Sequence, residues 1–311
     1  LREMPPAQAP QALEARVLGI FGRGAVPEEE GRAPAAAAPA SVLPHDRVPE
    51  GRCVAVDRGG IEGFSAFHKS ARWSTLGFLE EERGDRAVSA QTRANLDAIL
   101  SADLRLKEPL TPEIAQPGVL GENLFLDSAT MGAGTVCIGD EFTVFRDGQE
   151  QRLKLQVTCA RKPCGKVDQT AGKTYSLDGV RAYTSAKGLA GLFFRVLQVG
   201  DVKAGDVLRL TARPHPAWTL ERASRLLYSH PDVIMLGPGR SAKAYADGVT
   251  DVILREEFMG SDEELAEFAS LPELAVCEWK EHLFKLLGRP GIGRYRPRSA
   301  KRRHALLLLG S

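Results

Sequence analysis

The feature that most constrains the fold is the alternation in "RLKLQVTC", residues 152–159. Leu153, Leu155, Val157 and Cys159 fall on one side of an extended chain, and Lys154, Gln156 and Thr158 on the other. That period of two belongs to a strand with one buried face. The same pattern fills residues 118–213. In "GTVCIGDEFTVF", Val136 and Ile138 share a face, Gly139-Asp140 reads as a turn, and Phe142 and Val144 resume the strand. "GLFFRVLQVG" and "GDVLRLTAR" supply two more strands. Short strands at this spacing, divided by Gly-Asp turns, predict a mainly β, barrel-like domain.

Upstream, "GRCVAVDRGG" sets Val54 and Val56 against Ala55 and Asp57 and closes at Gly59-Gly60. "VSAQTRANLDAIL" reads as a strand followed by a helix. That helix starts near Ser89 or Thr92, with Ala94 or Asn95, Ala98 and Ile99 at helical spacing. The barrel domain is expected over residues 51–213. Residues 1–50 include "GRAPAAAAPASVLP", a composition that buries too little apolar surface to order itself. They are expected to be a disordered leader, with one short amphipathic helix over Leu13 to Phe21.

After Pro216 the period changes. "TLERASRLLYS" offers Thr219 as N-cap and a stripe of Leu220, Ala223, Leu226 and Leu227. "SDEELAEF" opens with the capping box Ser261 and Glu264. "LPELAVCEWKEHLFKLLG" has Pro272 in its first turn and stops at Gly288. Its apolar face runs through Val276, Trp279, Leu283 and Leu286 or Leu287. A small helical domain is therefore expected over 214–290, before a basic tail, 291–311, containing Arg294, Arg296, Arg298 and Lys301 to Arg303. Trp218 and Trp279 read as packing anchors, and His215, between two prolines, as a rigid linker residue.

Composition narrows the function classes. The 311 residues carry 41 Lys+Arg against 40 Asp+Glu, a net charge of +1, so no global charge favours nucleic acid or a membrane surface. No apolar run approaches the roughly 20 residues of a membrane span. Five cysteines are too few and too odd for a disulfide framework. A reducing, cytoplasmic setting fits, with an organelle as the alternative if the leader is a transit peptide. The acidic run Glu28 to Glu30 argues against that alternative. There is no Walker-type loop or dinucleotide fingerprint, and Gly237-Pro238-Gly239 is a turn signal.

Two cysteines stand close together in "KLQVTCARKPCGK". Structural zinc needs four ligands, usually as two close pairs, and no second pair exists. Cys159 continues the apolar strand face and reads as core. Cys164 lies past Pro163 among Arg161, Lys162 and Lys166, cations that stabilise a thiolate. On the residues alone it is a candidate reactive or metal-binding cysteine. Glu122 and Asn123 follow Gly121 at the start of a strand: the carboxylate can handle protons and the amide can orient a polar ligand, or the segment is simply a turn. Arg195, in an apolar strand, either holds a phosphate or points to solvent.

The stretch 118–213 resembles the MOSC domain, the module at the C-terminus of molybdenum cofactor sulfurases and in stand-alone relatives. The resemblance rests on "GVLGENLFL", "VCIGDEFTV", "LQVTCARKPCGK", "GLFFRVLQVGDVKAGDVLRL" and "RPHPAWTL" in that order. It is similar to the branch of the bacterial hydroxylaminopurine-resistance proteins, which carry a three-helix domain after the barrel. The resemblance implies that Cys164 is a molybdenum ligand or sulfur carrier, and that Gly121, Glu122 and Asn123 line the same cavity. Arg161 matches the arginine before the Pro-Cys step, and Arg195 the arginine of "FFRVL". With Lys162 and Lys166 these cations would neutralise the phosphate of a molybdenum cofactor.

The activity so implied is reduction of an N-hydroxylated base or amine at a Cys-ligated molybdenum, with Cys164 and Glu122 as catalytic residues. Electrons would come from an external donor protein, because the chain shows no flavin or iron–sulfur motif. A homodimer is compatible with it. Two alternatives stay open. Cys164 can carry a persulfide supplied in trans, since the pyridoxal phosphate domain of a sulfurase has no room here. Or the domain binds and hands over the cofactor without turnover. One departure favours the last: many relatives carry an early Gly-Asp-x-His element, whereas "GGIEGFSAFHKSARW" has Phe64 and Ser65 there, with His68 as a displaced counterpart.

Overall fold

The computed structural model describes residues 13–22, 46–61, 84–102, 116–162, 184–228, 262–280 and 283. Among the described residues eleven strands form: β1 (Glu14–Gly22), β2 (Asp46–Arg47), β3 (Val54–Asp57), β4 (Gly60–Ile61), β5 (Val88–Thr92), β6 (Leu124–Asp127), β7 (Glu141–Arg146), β8 (Gln149–Ala160), β9 (Leu192–Gln198), β10 (Gly200–Val202) and β11 (Val207–Ala212). Seven close into a barrel in the order β11-β7-β8-β9-β5-β6-β1, with β1 returning to β11; β2 pairs off the end of β1. The order β10-β3-β4 makes a second, three-stranded sheet. Neighbours in the barrel are antiparallel except β5 and β6, which run parallel.

Local chemistry explains the best-defined hairpin. Between β7 and β8 the loop is Asp147-Gly148, with φ of 50° and 78°. Two left-handed residues in a two-residue loop match the twist of the flanking strands, and Asp-Gly tolerates that geometry best. The expected inward face of β8 is buried: Leu153, Leu155, Val157 and Cys159 are each at most 1% exposed. They pack with Phe142 and Val144 of β7 and Phe194 of β9. Gln156 and Thr158, expected to face solvent, are buried too. The reason is a second layer, since Ala275 N–H donates to the Thr158 carbonyl at 3.1 Å and brings the C-terminal segment over this face.

The leader reading needs correction. Glu14–Gly22 is strand β1, not a helix in a disordered leader, and the barrel begins there rather than at residue 51. Ala15 and Val17 point inward against exposed Glu14 and Arg16, a strand alternation. A register shift between Val17 and Gly19 then lets the second half follow β6. Apart from 13–22 and 46–50, the expected leader lies outside the described residues.

Helix α1 (Arg93–Leu100) is capped by Thr92, whose hydroxyl accepts from the Asn95 N–H, and buries Asn95, Leu96 and Ile99. Helix α2 (Leu220–Tyr228) starts after Thr219, whose Oγ1 accepts from Arg222 N–H at 3.2 Å, and buries the whole expected stripe. Helix α3 (Asp262–Ser270) follows, and then a π-helical turn, Val276–Lys280. The tryptophans are anchors as expected. Trp218 stacks on Phe268 at 4.6 Å, and Phe268 meets Trp279 edge-on at 6.0 Å. His215 is more than a linker, because its Nε2 contacts Glu273 Oε2 at 2.7 Å. Ser261, Gly288 and the basic tail lie outside the described residues. No described helix is long and apolar enough to cross a membrane.

Candidate functional site at the Glu122 turn

The turn before β6 is built on two left-handed glycines, Gly118 at φ 86° and Gly121 at φ 72°. A Cβ at Gly118 would lie 2.6 Å from the Phe21 ring, so the turn can sit on β1 only with glycine there. Gly121 N–H closes the turn on the Gly118 carbonyl at 3.0 Å. This folds the Glu122 side chain back inside its own turn. Glu122 is 0% exposed, and its Oε1 accepts from Gly118 N–H at 2.6 Å. Its Oε2 is sealed from solvent and has no hydrogen-bond partner. An orphaned buried oxygen costs about 1–3 kcal/mol, which makes a half-satisfied acid a feature that needs a reason.

Burial pushes the Glu122 carboxyl above the usual range. The N–H groups of Glu122, Gly118 and Leu120 and the Arg161 charge pull the other way without cancelling it. Arg161 is thus one of the groups that act on the Glu122 carboxyl. It sits just past β8, where its N–H donates to the Gly191 carbonyl at 2.8 Å. Gly191 can be nothing else: its φ is 103°, and a Cβ would fall 2.4 Å from the Ala90 carbonyl oxygen. That close approach carries the β8–β9 ladder one residue beyond β8 and fixes the chain's heading into Lys162.

Asn123 plays a different part from the one expected. Its Oδ1 accepts from Ser89 N–H at 3.0 Å and from Ser89 Oγ at 2.9 Å. Its own N–H donates to the Ser89 carbonyl, and its Nδ2 reaches the Phe21 carbonyl at 3.4 Å. The amide stitches β5, β6 and β1 together behind Glu122. Arg195 is also engaged by protein: Nη2 donates to Asp85 Oδ1 and to the Glu273 carbonyl, and Nη1 to Gln156 Oε1. Asp85 Oδ2 in turn accepts from Val276 N–H at 3.1 Å. Arg195 thus ties the C-terminal segment to β9. Sequence reasoning missed Asp85, whose partner Arg195 is 110 residues away. It also missed Asp140, wholly buried and bound bidentately by Arg213 at 2.8 and 2.6 Å.

Pro163, Cys164 and Lys166 lie outside the described residues, as do Phe64, Ser65 and His68. Of the described cysteines, Cys159 is core and Cys53 is exposed just before β3. Burial pushes the Cys137 thiol up to about 11, which leaves it protonated and inert.

An anionic metal cofactor asks for cations near its phosphate, a soft donor for the metal, and polar groups shielded from water. Arg161 and exposed Lys162 answer the first need, and the unpartnered Oε2 of Glu122 the third. Among the described residues no three His, Cys, Asp or Glu side chains gather to hold a metal by themselves. Cys164, two residues beyond Lys162 in the sequence, lies outside the described residues; as a thiolate it would be such a soft donor, and the described cations fit the anionic part of the group.

Parts of the chain also match known proteins. Residues 66–209 match the family model of the MOSC domain, which takes in β5 to β10 and the first half of β11 but not β1. A protein of Gibberella moniliformis named "Reductase" is 30% identical over 125 residues, 40% of this chain and 20% of that protein. The uncharacterized protein YflK of Bacillus subtilis is 31% identical over 108 residues, 35% of this chain and 43% of YflK. The matched segment thus spans less than half the length of either relative. The crystal structure of YiiM from Escherichia coli superposes with a TM-score of 0.51 at 17% identity, covering 88% of this chain and 92% of YiiM, a likeness of fold. By family model, residues 66–209 of the chain match the MOSC domain.

Proposed function

We propose that this protein binds a molybdenum cofactor through Cys164 and uses it to reduce N-hydroxylated bases or amines, with electrons from a donor protein. The observation that carries the reading is the wholly buried, half-satisfied Glu122, on which the charge of Arg161 acts, with Arg161 three residues before Cys164 in the chain. The MOSC match and the reductase name of one relative support it. The chemistry supplied by such a centre is two-electron removal of the nitrogen-bound oxygen. The chain's own residues bind, orient and exclude water. Arg161, Lys162 and Lys166 neutralise phosphate, Gly121 lets the backbone approach, and Glu122 holds a proton at Oε2. Asn123 keeps Glu122 in place through Ser89, while Arg195 acts at a distance by holding the covering segment.

The test is to purify the full chain from a cofactor-competent host and measure molybdenum, pterin and persulfide. Stoichiometric molybdenum and pterin are expected, lost in Cys164→Ala. Unchanged molybdenum in that variant overturns the ligand assignment, and persulfide without pterin moves Cys164 to sulfur carriage. Donor-dependent conversion of a hydroxylamino base to the amine tests the reaction. The Phe64-Ser65 departure favours one rival, a binding and transfer module, and loaded protein that fails to turn over with a competent donor would establish it.

A further inference from the structure

The ladder between β8 and β9 is irregular close to its end. Val157 lies opposite Phe194 and Cys159 opposite Phe193, so Thr158 is one residue too many for the partner strand. That is a β-bulge. Beyond it the ladder resumes, with Ala160 opposite Leu192 and then Arg161 N–H on the Gly191 carbonyl at 2.8 Å. Side chains alternate along a strand, so one extra residue reverses the faces of all that follow it. The bulge therefore decides that Arg161 is the half-buried residue and Lys162 the exposed one, rather than the reverse.

Three segments hold Thr158 in this place, where it is 0% exposed. Its hydroxyl has one proton and two carbonyls within reach, Asp85 at 2.5 Å and Phe193 at 3.2 Å. Its carbonyl accepts from Ala275 N–H at 3.1 Å. Asp85 is fastened to that same C-terminal segment, because its Oδ2 accepts from Val276 N–H. The bulge is thus clamped by the lead into β5, by β9 and by a segment more than 100 residues further on.

We propose that Thr158 is a positioning residue: by holding the bulge against Asp85, Phe193 and Ala275, it selects the faces on which the cations Arg161 and Lys162 are presented. It acts through those two residues and not on a ligand itself. The inference rests on the cofactor reading in one respect, that these cations are the ones that meet an anion. The register assignment stands without it.

Native-state hydrogen exchange of the full chain, read amide by amide, is the test. In the wild type, Arg161 N–H and Ala275 N–H should exchange through one shared opening, with protection that agrees to within about tenfold. A wider gap overturns the clamp. Thr158→Val keeps the shape and removes the hydroxyl, and should speed Arg161 exchange by about tenfold, as expected for one lost buried hydrogen bond. Thr158→Ser returns the hydroxyl and should return the wild-type rate. Val17 and Leu210, whose N–H groups are bonded on the β1–β11 side of the barrel, should not change in either variant. Equal acceleration at Val17, Leu210 and Arg161 would make Thr158 a general stabiliser and overturn the proposal. So would an unchanged Arg161 rate in Thr158→Val, or no rescue in Thr158→Ser. Where Thr158→Val does not fold, the wild-type comparison of Arg161 with Ala275 still decides.

Metal content separates this inference from the reading it rests on. In protein that loads, Thr158→Val should carry less molybdenum than Thr158→Ser, and equal content overturns the role at the site. Local acceleration in a protein that purifies without molybdenum or pterin leaves the register assignment standing and removes the cofactor reading.

Discussion

Asp85 and Glu122 each stand just before one of the two parallel strands, β5 and β6, and both are buried. Burial pushes both carboxyls above the usual range, so acidity alone does not separate them. Their partners do. Asp85 has both oxygens engaged, Oδ1 by Arg195 and Oδ2 by Val276 N–H, and its neighbour Lys280 is pushed below the usual lysine range by the same burial. Glu122 has one oxygen engaged and one left over. A fully satisfied buried acid is architecture: here it fastens the C-terminal layer to the barrel. A half-satisfied acid leaves one hydrogen-bonding position open, and that is why the proposed function is centred on Glu122 rather than on Asp85.

The contrast can be broken by mutation, beginning with the largest effect. Asp85→Ala should cost about 3–5 kcal/mol, because it strands the Arg195 guanidinium and releases Val276 N–H together. A urea midpoint that moves by less than a third of that would mean Asp85 is not holding the layer. Asn123→Ala should cost about 2 kcal/mol, within the range for orphaning buried donors, since Ser89 loses its reciprocal partner; calorimetry reads it directly. Cys159→Ala should cost about 1 kcal/mol as a small packing loss and leave cofactor content alone, whereas Cys164→Ala abolishes that content.

Glu122→Gln should cost least and differ in sign with pH. A carboxyl whose folded pKa is raised contributes stability below the ordinary glutamate range and loses it as pH climbs through the raised value. The substitution should therefore remove that decline and make the variant the more stable of the two at neutral and alkaline pH. A variant that is less stable at pH 8 than at pH 5 would place the pH dependence in some other group.

Much of this was legible beforehand because it is local. The β8 face, the Thr219 cap with its leucine stripe, and the Gly139-Asp140 turn depend on residues within a few positions of one another. The rest depends on chain segments far apart. β1 reads poorly because its short alternation of Ala15 and Val17 sits close to an Ala-Pro-rich stretch, and only pairing to β6 and β11 makes it a strand. Gln156 and Thr158 look solvent-facing until a segment from past residue 270 covers them. Asp140 reads as an ordinary turn aspartate, yet Arg213, 73 residues on, makes it a buried ion pair. At the site, Glu122 and Arg161 stand out in the sequence by residue type and by their motifs. The stitching role of Asn123 was not, because its partner Ser89 gives no sequence signal.

Ring closure by β1 against β11 has a consequence for biosynthesis. Glu14 lies opposite Arg209, and the Arg209 Nε to Glu14 Oε2 contact at 3.2 Å spans 195 residues. During translation β1 emerges early and must wait for nearly the whole barrel to be made before that edge is covered. Until then its backbone donors and acceptors are exposed to any other nascent strand. Contacts this remote in sequence also form slowly once the chain is released. Shortened products ending before Val207 would keep both edges open, and they are the species on which chaperones and proteases should act first.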